Sequence, residues 1–368
     1  MEYYMPVKLY TGKGILEKHK EQLAELGGRC VVITGKSSAV RSGALADIQR
    51  IFEETGTEYE IYDGISENPS VSSCIEAGRK AYAFQASYIM GIGGGSPLDA
   101  AKAAAVFAAN PDLDEKGLYA MTWNRVLPTV LVGTTAGTGS EVTKVSVLTN
   151  SEGRKKSVHH DLLYPVLAFG DPAYTASMGR TLTLTTGTDA LTHLTESFFS
   201  KKANDISRAC SIEGIRNLIP LLEKAADHFD DLTEEDREII YNASILGGMA
   251  IAATGTVFPH NVGYYFTEEY QIPHGFASAL LTDDLLSFEE TCGREYADAF
   301  YERTGISHER FRKLLRKVLP EYEIHLSEET LQDILPRWQN NGTVKNTRGD
   351  ITSEEIGKML RRKFPETE

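Results

Sequence analysis

Cysteine is scarce in this chain. Cys30, Cys74, Cys210 and Cys292 are the only four in 368 residues, and no two of them form a CxxC pair. That excludes a disulfide framework or a zinc knuckle and fits reduced thiols in a cytoplasmic protein. Basic charge is in deficit: 38 Lys and Arg stand against 52 Asp and Glu, for a net charge of −14. Nucleic acid and anionic membrane surfaces are therefore not expected as partners, since both require a basic face. Long apolar runs are missing too. The best candidate, "ASILGGMAIAATGTVF" at 243–258, falls short of the ~20 residues a span needs and is broken by Gly, Ser and Thr. It reads as a buried core helix. The start "MEYYMPVKLYTGKG" has no basic stretch followed by an apolar core, so no secretory leader is expected. Two nucleotide fingerprints are also lacking, the lysine-bearing GxxxxGK[ST] loop and a GxGxxG at the first strand.

What is present is a regular alternation. The β-branched run "RCVVIT" (29–34) precedes a helical pattern over 44–56, then "EYEIYDG" (58–64), a helix over 71–84, "ASYIMGIGG" (86–94), a helix over 98–109, and "TVLVGTT" (129–135). Strand and helix in turn predict βαβ units and a mainly parallel, Rossmann-like sheet that binds ligands at the carboxyl ends of its strands. From about residue 180 the patterns turn helical, near 183–200, 204–228, 233–254, 275–289, 294–304, 308–318 and 328–338. The expectation is an α/β dinucleotide-binding domain over 1–179 and an all-α domain over 180–368.

Two strand ends carry unusual loops. In "GIGGGSPLDAAK" (91–102), Gly93, Gly94 and Gly95 let backbone N–H groups approach a pyrophosphate. Ser96 and Asp99 read as a capping box around Pro97, so that the helix start adds its positive dipole end. A bare strand-to-helix turn would need fewer glycines. The second loop, "GTTAGTGSEVT" (133–143), offers the hydroxyls of Thr134, Thr135, Thr138 and Ser140. In the helical half, "TTGTDALTHLTESF" (185–198) sets Asp189 and His193 four apart, on one helix face. A local Asp–His hydrogen bond would account for that pair alone. Yet "FPHNVGYYFTEEYQIPHG" adds His260, after an apolar helix, and His274, held by Pro273 and Gly275 at the mouth of another. One carboxylate and three imidazoles suit a borderline divalent ion such as Zn²⁺ or Fe²⁺ and leave room for a substrate oxygen.

Together, "GGGSPLDAAK", "TTAGTGSEVT", "GTDALTH" and "HNVGYYFTEEYQIPHG" make the chain resemble the iron-containing (group III) alcohol dehydrogenases. "LYTGKGILE" and "VKNTRGDITSEEIGKML" extend the likeness over nearly the whole chain. The resemblance implies a dehydroquinate-synthase-like architecture and a catalytic divalent metal, Fe²⁺ or Zn²⁺, on Asp189, His193, His260 and His274. It further implies a pyrophosphate site at Gly94, Gly95, Ser96 and Asp99, and nicotinamide or ribose contacts from Thr134, Thr135, Thr138 and Lys155. The implied reaction is hydride transfer between a nicotinamide cofactor and a small alcohol or aldehyde, in a homo-oligomer.

Two departures from that pattern matter. Many relatives hold the adenosine 2′-hydroxyl with an acidic residue after the first strand. This chain reads "VVITGKSS", with Gly35 at that place and Lys36, Ser37 and Ser38 beside it, which favours NADP(H) over NAD(H). Many relatives also carry a histidine four residues beyond the third ligand, where this chain has Tyr264. Its hydroxyl can relay a proton, though a phenol of pKa ~10 does so poorly at neutral pH, and Tyr264 can equally be a pocket wall. Two alternatives remain open: a glycerol(-phosphate) dehydrogenase or dehydroquinate-synthase-like enzyme, and a non-catalytic NADP-binding regulator.

Overall fold

Val31 and Ile33 point to one face of a sheet and Cys30 and Val32 to the other, and all four are fully buried. A strand that is apolar on both faces belongs in a parallel sheet covered by helices on each side. The computed structural model, which describes residues 2–365, has that layout. Eight strands run in chain order: β1 Lys8–Thr11, β2 Arg29–Thr34, β3 Glu58–Tyr62, β4 Tyr88–Gly93, β5 Thr129–Gly133, β6 Val145–Thr149, β7 Lys155–His159 and β8 Leu167–Gly170. Six form one sheet in the order β1-β8-β5-β4-β2-β3, with every pairing parallel. The chain leaves β2 for β3 on one side and returns to β4 on the other, so the switch point of the topology lies between β2 and β4. Ligands of such sheets bind at the carboxyl ends of those strands.

One face of the sheet packs on the Val71–Ala83 and Gly95–Ala109 helices. The other packs on Ala44–Thr55 and the short helix Ile15–Lys18. The antiparallel hairpin β6–β7 is separate from the main sheet and was not legible as strands in the sequence. Its turn is built by Asn150, whose Oδ1 accepts from the N–H groups of Glu152 and Arg154, and by Gly153 at φ +76°.

Beyond Gly170 the described residues contain helices and no further strand. Contacts group the chain into two units. The sheet unit comprises Tyr4–Gly179 and Thr233–Gly248; the helical unit comprises Met1–Tyr3, Arg180–Leu232 and Met249–Glu368. Expected as consecutive blocks 1–179 and 180–368, the chain instead returns to the sheet unit with most of the Glu234–Thr254 helix. The reason is Tyr241, which is fully buried against the strand-end glycines Gly133 and Gly170. The helix expected over 275–289 is broken into His274–Ala279 and Thr282–Cys292. No single helix among the described residues is long and apolar enough to cross a membrane. The pair Glu234–Thr254 and Phe258–Tyr270 reaches that composition only together, across a 110° bend.

Candidate metal centre and cofactor loops

The Arg180–Phe198 helix is buried almost throughout its last four turns, although it is rich in threonine. Thr185, Thr192 and Thr195 return their hydroxyls to backbone carbonyls three or four residues back, which allows a polar sequence to lie in a core. On this helix Asp189 and His193 are 3% and 5% exposed. His260 follows the apolar Glu234–Thr254 helix, as the sequence reading had it, and is itself the third residue of the next helix, Phe258–Tyr270. Pro259 is tolerated there because the first-turn N–H groups have no partner within the helix. His274 opens the His274–Ala279 helix. Gly275 permits the close approach: a Cβ there would lie 2.1 Å from the Thr185 carbonyl oxygen and 2.9 Å from the Asp189 Cβ.

These elements converge on one carboxylate oxygen. Asp189 Oδ1 lies 3.6 Å from His260 Nε2, 3.8 Å from His274 Nε2 and 3.9 Å from His193 Nε2. Those separations are too long for hydrogen bonds. A tetrahedral ion with bonds of about 2.0–2.1 Å holds its donors roughly 3.3–3.4 Å apart, a few tenths of an ångström less than observed. The donor atoms of Asp189, His193 and His260 all lie within 4.8 Å of one another; His274 falls outside that group of three and is joined to it by the 3.8 Å approach of its Nε2 to Asp189 Oδ1. Asp189 Oδ1 and His260 Nε2 are buried with no hydrogen-bond partner among the described residues. Burying a carboxylate oxygen unpaired is costly, and a cation at the shared point removes that cost. The residues therefore fit a divalent ion.

Electrostatics agree with that fit. Burial alone would raise the Asp189 carboxyl, but the imidazoles of His193, His260 and His274 hold it below the usual carboxylate range. Burial likewise disfavours a charged His260, yet Glu196 and Asp189 push it up to about 10. Negative charge here calls for a positive partner, whether proton or metal. Glu196, fully buried, accepts at 2.7 Å from the Val257 N–H and lies 2.7 Å from His260 Nδ1. Sequence reasoning passed over this residue; its signal was a second carboxylate on the helix, seven residues after Asp189. Tyr264, half-buried one turn after His260, stacks on the His274 ring with centroids 5.4 Å apart and planes 18° apart.

In the sheet unit, the two loops leave neighbouring strand ends. Gly93 and Gly133 are partners in the β4–β5 register, and the Thr134 N–H donates to the Gly93 carbonyl at 2.8 Å. Gly93 has φ +151°, and a Cβ on Gly95 would lie 2.6 Å from the Thr138 side chain. These glycines are thus required by the packing of one loop on the other, and they also leave the backbone bare. The capping box expected at Ser96 and Asp99 is absent. The helix starts at Gly95 with Gly94 as its cap residue, because both side chains are committed elsewhere. Ser96 Oγ accepts from the Asn68 N–H. Asp99 accepts from Ser140 Oγ at 2.6 Å and from the Val147 N–H at 2.9 Å. Without a side-chain cap, the first N–H groups of this helix remain open to an anion.

Lys102 is a second residue the sequence reading left without a role. It is fully buried, and its ammonium lies within hydrogen-bond distance of Ser140 O, Ser140 Oγ, Thr143 Oγ1 and Val145 O. Thr134 Oγ1 is buried with no partner among the described residues, whereas Thr135 and Thr138 are half-buried. After β2, Gly35 and Ser38 are half-buried and Lys36 and Ser37 exposed. This segment and the Gly94–Ser96 turn flank the β2–β4 switch point. Lys155 opens β7, paired with Thr149.

Comparison with known proteins agrees with this geometry. Residues 6–172 match the family described as iron-containing alcohol dehydrogenase, and residues 183–327 match the Fe-containing alcohol dehydrogenase family, C-terminal. The chain belongs to the iron-containing alcohol dehydrogenase family, a family of oxidoreductases. It is 31% identical over 312 residues to long-chain-alcohol dehydrogenase 1 of Geobacillus thermodenitrificans, covering 82% of this chain and 77% of that one. The solved structure of an iron-containing alcohol dehydrogenase from Thermotoga maritima is 37% identical, covers 99% of both chains and has a TM-score of 0.91. A sulfoacetaldehyde reductase from Bifidobacterium kashiwanohense, solved in complex with NAD+, is 26% identical, covers 98% of both chains and has a TM-score of 0.87.

Proposed function

We propose that this protein is a metal-dependent alcohol dehydrogenase, working in cells as an aldehyde reductase that transfers hydride between NADP(H) and a small primary alcohol or aldehyde. The observation that carries the reading is the buried Asp189 oxygen with three imidazole nitrogens 3.6–3.9 Å away. In this reading Asp189, His193, His260 and His274 hold a divalent ion, Fe²⁺ or Zn²⁺. Bound there, such an ion supplies Lewis acidity to an alcohol or carbonyl oxygen, and the nicotinamide supplies or takes the hydride.

The chain's own residues then have separate tasks. Asp189 contributes the only negative charge among the four ligands, so a divalent ion held there would keep net positive charge within its ligand set. Tyr264 stacks on the His274 ring and forms a wall of the pocket; kcat across pH in Tyr264→Phe tests whether its hydroxyl also delivers a proton. The uncapped start of the Gly95–Ala109 helix and the backbone of Gly94–Ser96 bind the pyrophosphate. Thr134, Thr135, Thr138 and Lys155 contact the nicotinamide and ribose. Gly35 removes the charge that would repel a 2′-phosphate, while exposed Lys36 and the hydroxyls of Ser37 and Ser38 receive it.

The test is an NADPH-oxidation screen over short aldehydes and hydroxy-aldehydes, with metal-free protein reloaded with Fe²⁺, Zn²⁺ or Mn²⁺. Activity that needs the metal and is stronger with NADPH than with NADH is the expected result. Dinucleotide binding without metal uptake or turnover would favour a regulator instead. A cytoplasmic location is supported by four cysteines that form no disulfide and is checked by fractionation; sedimentation tests for a homo-oligomer.

A further inference from the structure

We propose that Glu196 is a positioning residue that selects the tautomer of His260, and so decides whether that imidazole can accept a metal. The proposal rests on the reading of Asp189, His193, His260 and His274 as metal ligands. Glu196 is 0% exposed, and both of its oxygens are committed. Oε2 accepts from the Val257 N–H and Oε1 contacts His260 Nδ1, each at 2.7 Å. Val257 is the cap residue of the Phe258–Tyr270 helix, and its own side chain supplies no cap. The Arg180–Phe198 helix thus caps a second helix through Glu196. The next N–H, that of Phe258, donates to Thr347 Oγ1 at 3.2 Å.

The donor count gives the consequence. A backbone N–H can only donate, so Val257 always claims one acceptor. A carboxylate has a second acceptor for His260, which fixes the proton on Nδ1 and leaves the Nε2 lone pair directed at the point shared with Asp189. An amide has only one acceptor oxygen. In Glu196→Gln that oxygen stays with Val257, the NH₂ faces His260 Nδ1, and the proton moves to Nε2. The ligand atom is then blocked with almost no change of shape. A residue that only capped a helix would tolerate the change, since the cap bond is kept.

The test compares Zn²⁺ affinity, by competition with a chromophoric chelator, for the wild-type chain, Asp189→Ala and Glu196→Gln, all freed of metal beforehand. If the wild type binds no Zn²⁺, or Asp189→Ala binds it equally well, the four-ligand reading fails and takes this proposal with it. When the wild type binds and Asp189→Ala does not, Glu196→Gln is expected to bind about 10–100-fold more weakly, with an unchanged far-UV spectrum. Binding by Glu196→Gln at the wild-type level would overturn the proposal alone. A second measurement does not depend on the variant folding. In the zinc-loaded wild type labelled with ¹⁵N-histidine, the His260 proton is expected on Nδ1, and a proton on Nε2 would refute the assignment.

Discussion

Replacing Lys102 with methionine isolates one buried charge at the base of the two strand-end loops. Methionine keeps the length and most of the volume of the stem, so little cavity forms and the loss is polar. The ammonium lies 2.7 Å from Ser140 O and from Val145 O, 2.8 Å from Ser140 Oγ and 3.1 Å from Thr143 Oγ1. Asp99 is 3.6 Å away. Burial pushes the lysine down from its ordinary value, and Asp99 and Glu141 oppose that. Removing one member of a buried charged network costs about 3–5 kcal/mol, because the remaining charge loses its counterpart. For a unit of this size each kcal/mol lowers Tm by roughly 2–4 °C, so Lys102→Met should melt about 6–20 °C below the wild type. The loss should concentrate in the sheet unit. Ser140 follows Thr134, Thr135 and Thr138 on one loop, and NADPH affinity, read by fluorescence titration, should fall while Zn²⁺ affinity holds. Calorimetry checks the first expectation. A Tm within about 3 °C of wild type would mean that Lys102 does not carry the fold, and an unchanged NADPH Kd that it does not hold the loop.

Other perturbations test other contacts. Gly275→Ala forces a Cβ to within 2.1 Å of the Thr185 carbonyl, so the His274–Ala279 helix must retreat; chelator competition should show weaker Zn²⁺ binding, with dinucleotide affinity intact. Gly35→Asp meets only the Ile65 carbonyl closely, at 3.1 Å, and should fold. Its ratio of kcat/KM for NADPH over NADH should drop at least about tenfold, as expected when a like charge replaces a favourable site. Glu289 is fully buried and its carboxyl is pushed up to about 8 by burial, which Arg348 offsets in part. A raised folded pKa means the folded state binds more protons than the unfolded one. The stability this carboxyl contributes is complete below its unfolded value of 4.5 and is lost as pH rises to about 8. Glu289→Gln should therefore gain Tm relative to wild type at pH 8 compared with pH 5, and equal Tm differences at the two pH values would refute the reading.

The sequence alone determined four of the six strands of the central sheet, β2 to β5, and most of the helices around them, whereas β1 and β8 carried no run that was read as a strand. RCVVIT and TVLVG are apolar on both faces, and such runs fit little except a covered parallel sheet. It also determined which side chains deserved attention, because Asp189 and His193 share a helix face through local geometry, whatever else the chain does. Local patterns ended there. That Ser96 and Asp99 do not cap their helix follows from Asn68, Ser140 and Val147, partners 28 to 48 residues away along the chain. That Glu196 and Lys102 are more than a buried acid and a helix lysine depends on Val257, His260 and the Ser140 loop, equally remote in sequence. Tertiary structure decided these roles because a polar side chain taken out of water must find its partner wherever the fold presents one, and that partner is seldom a neighbour in the chain.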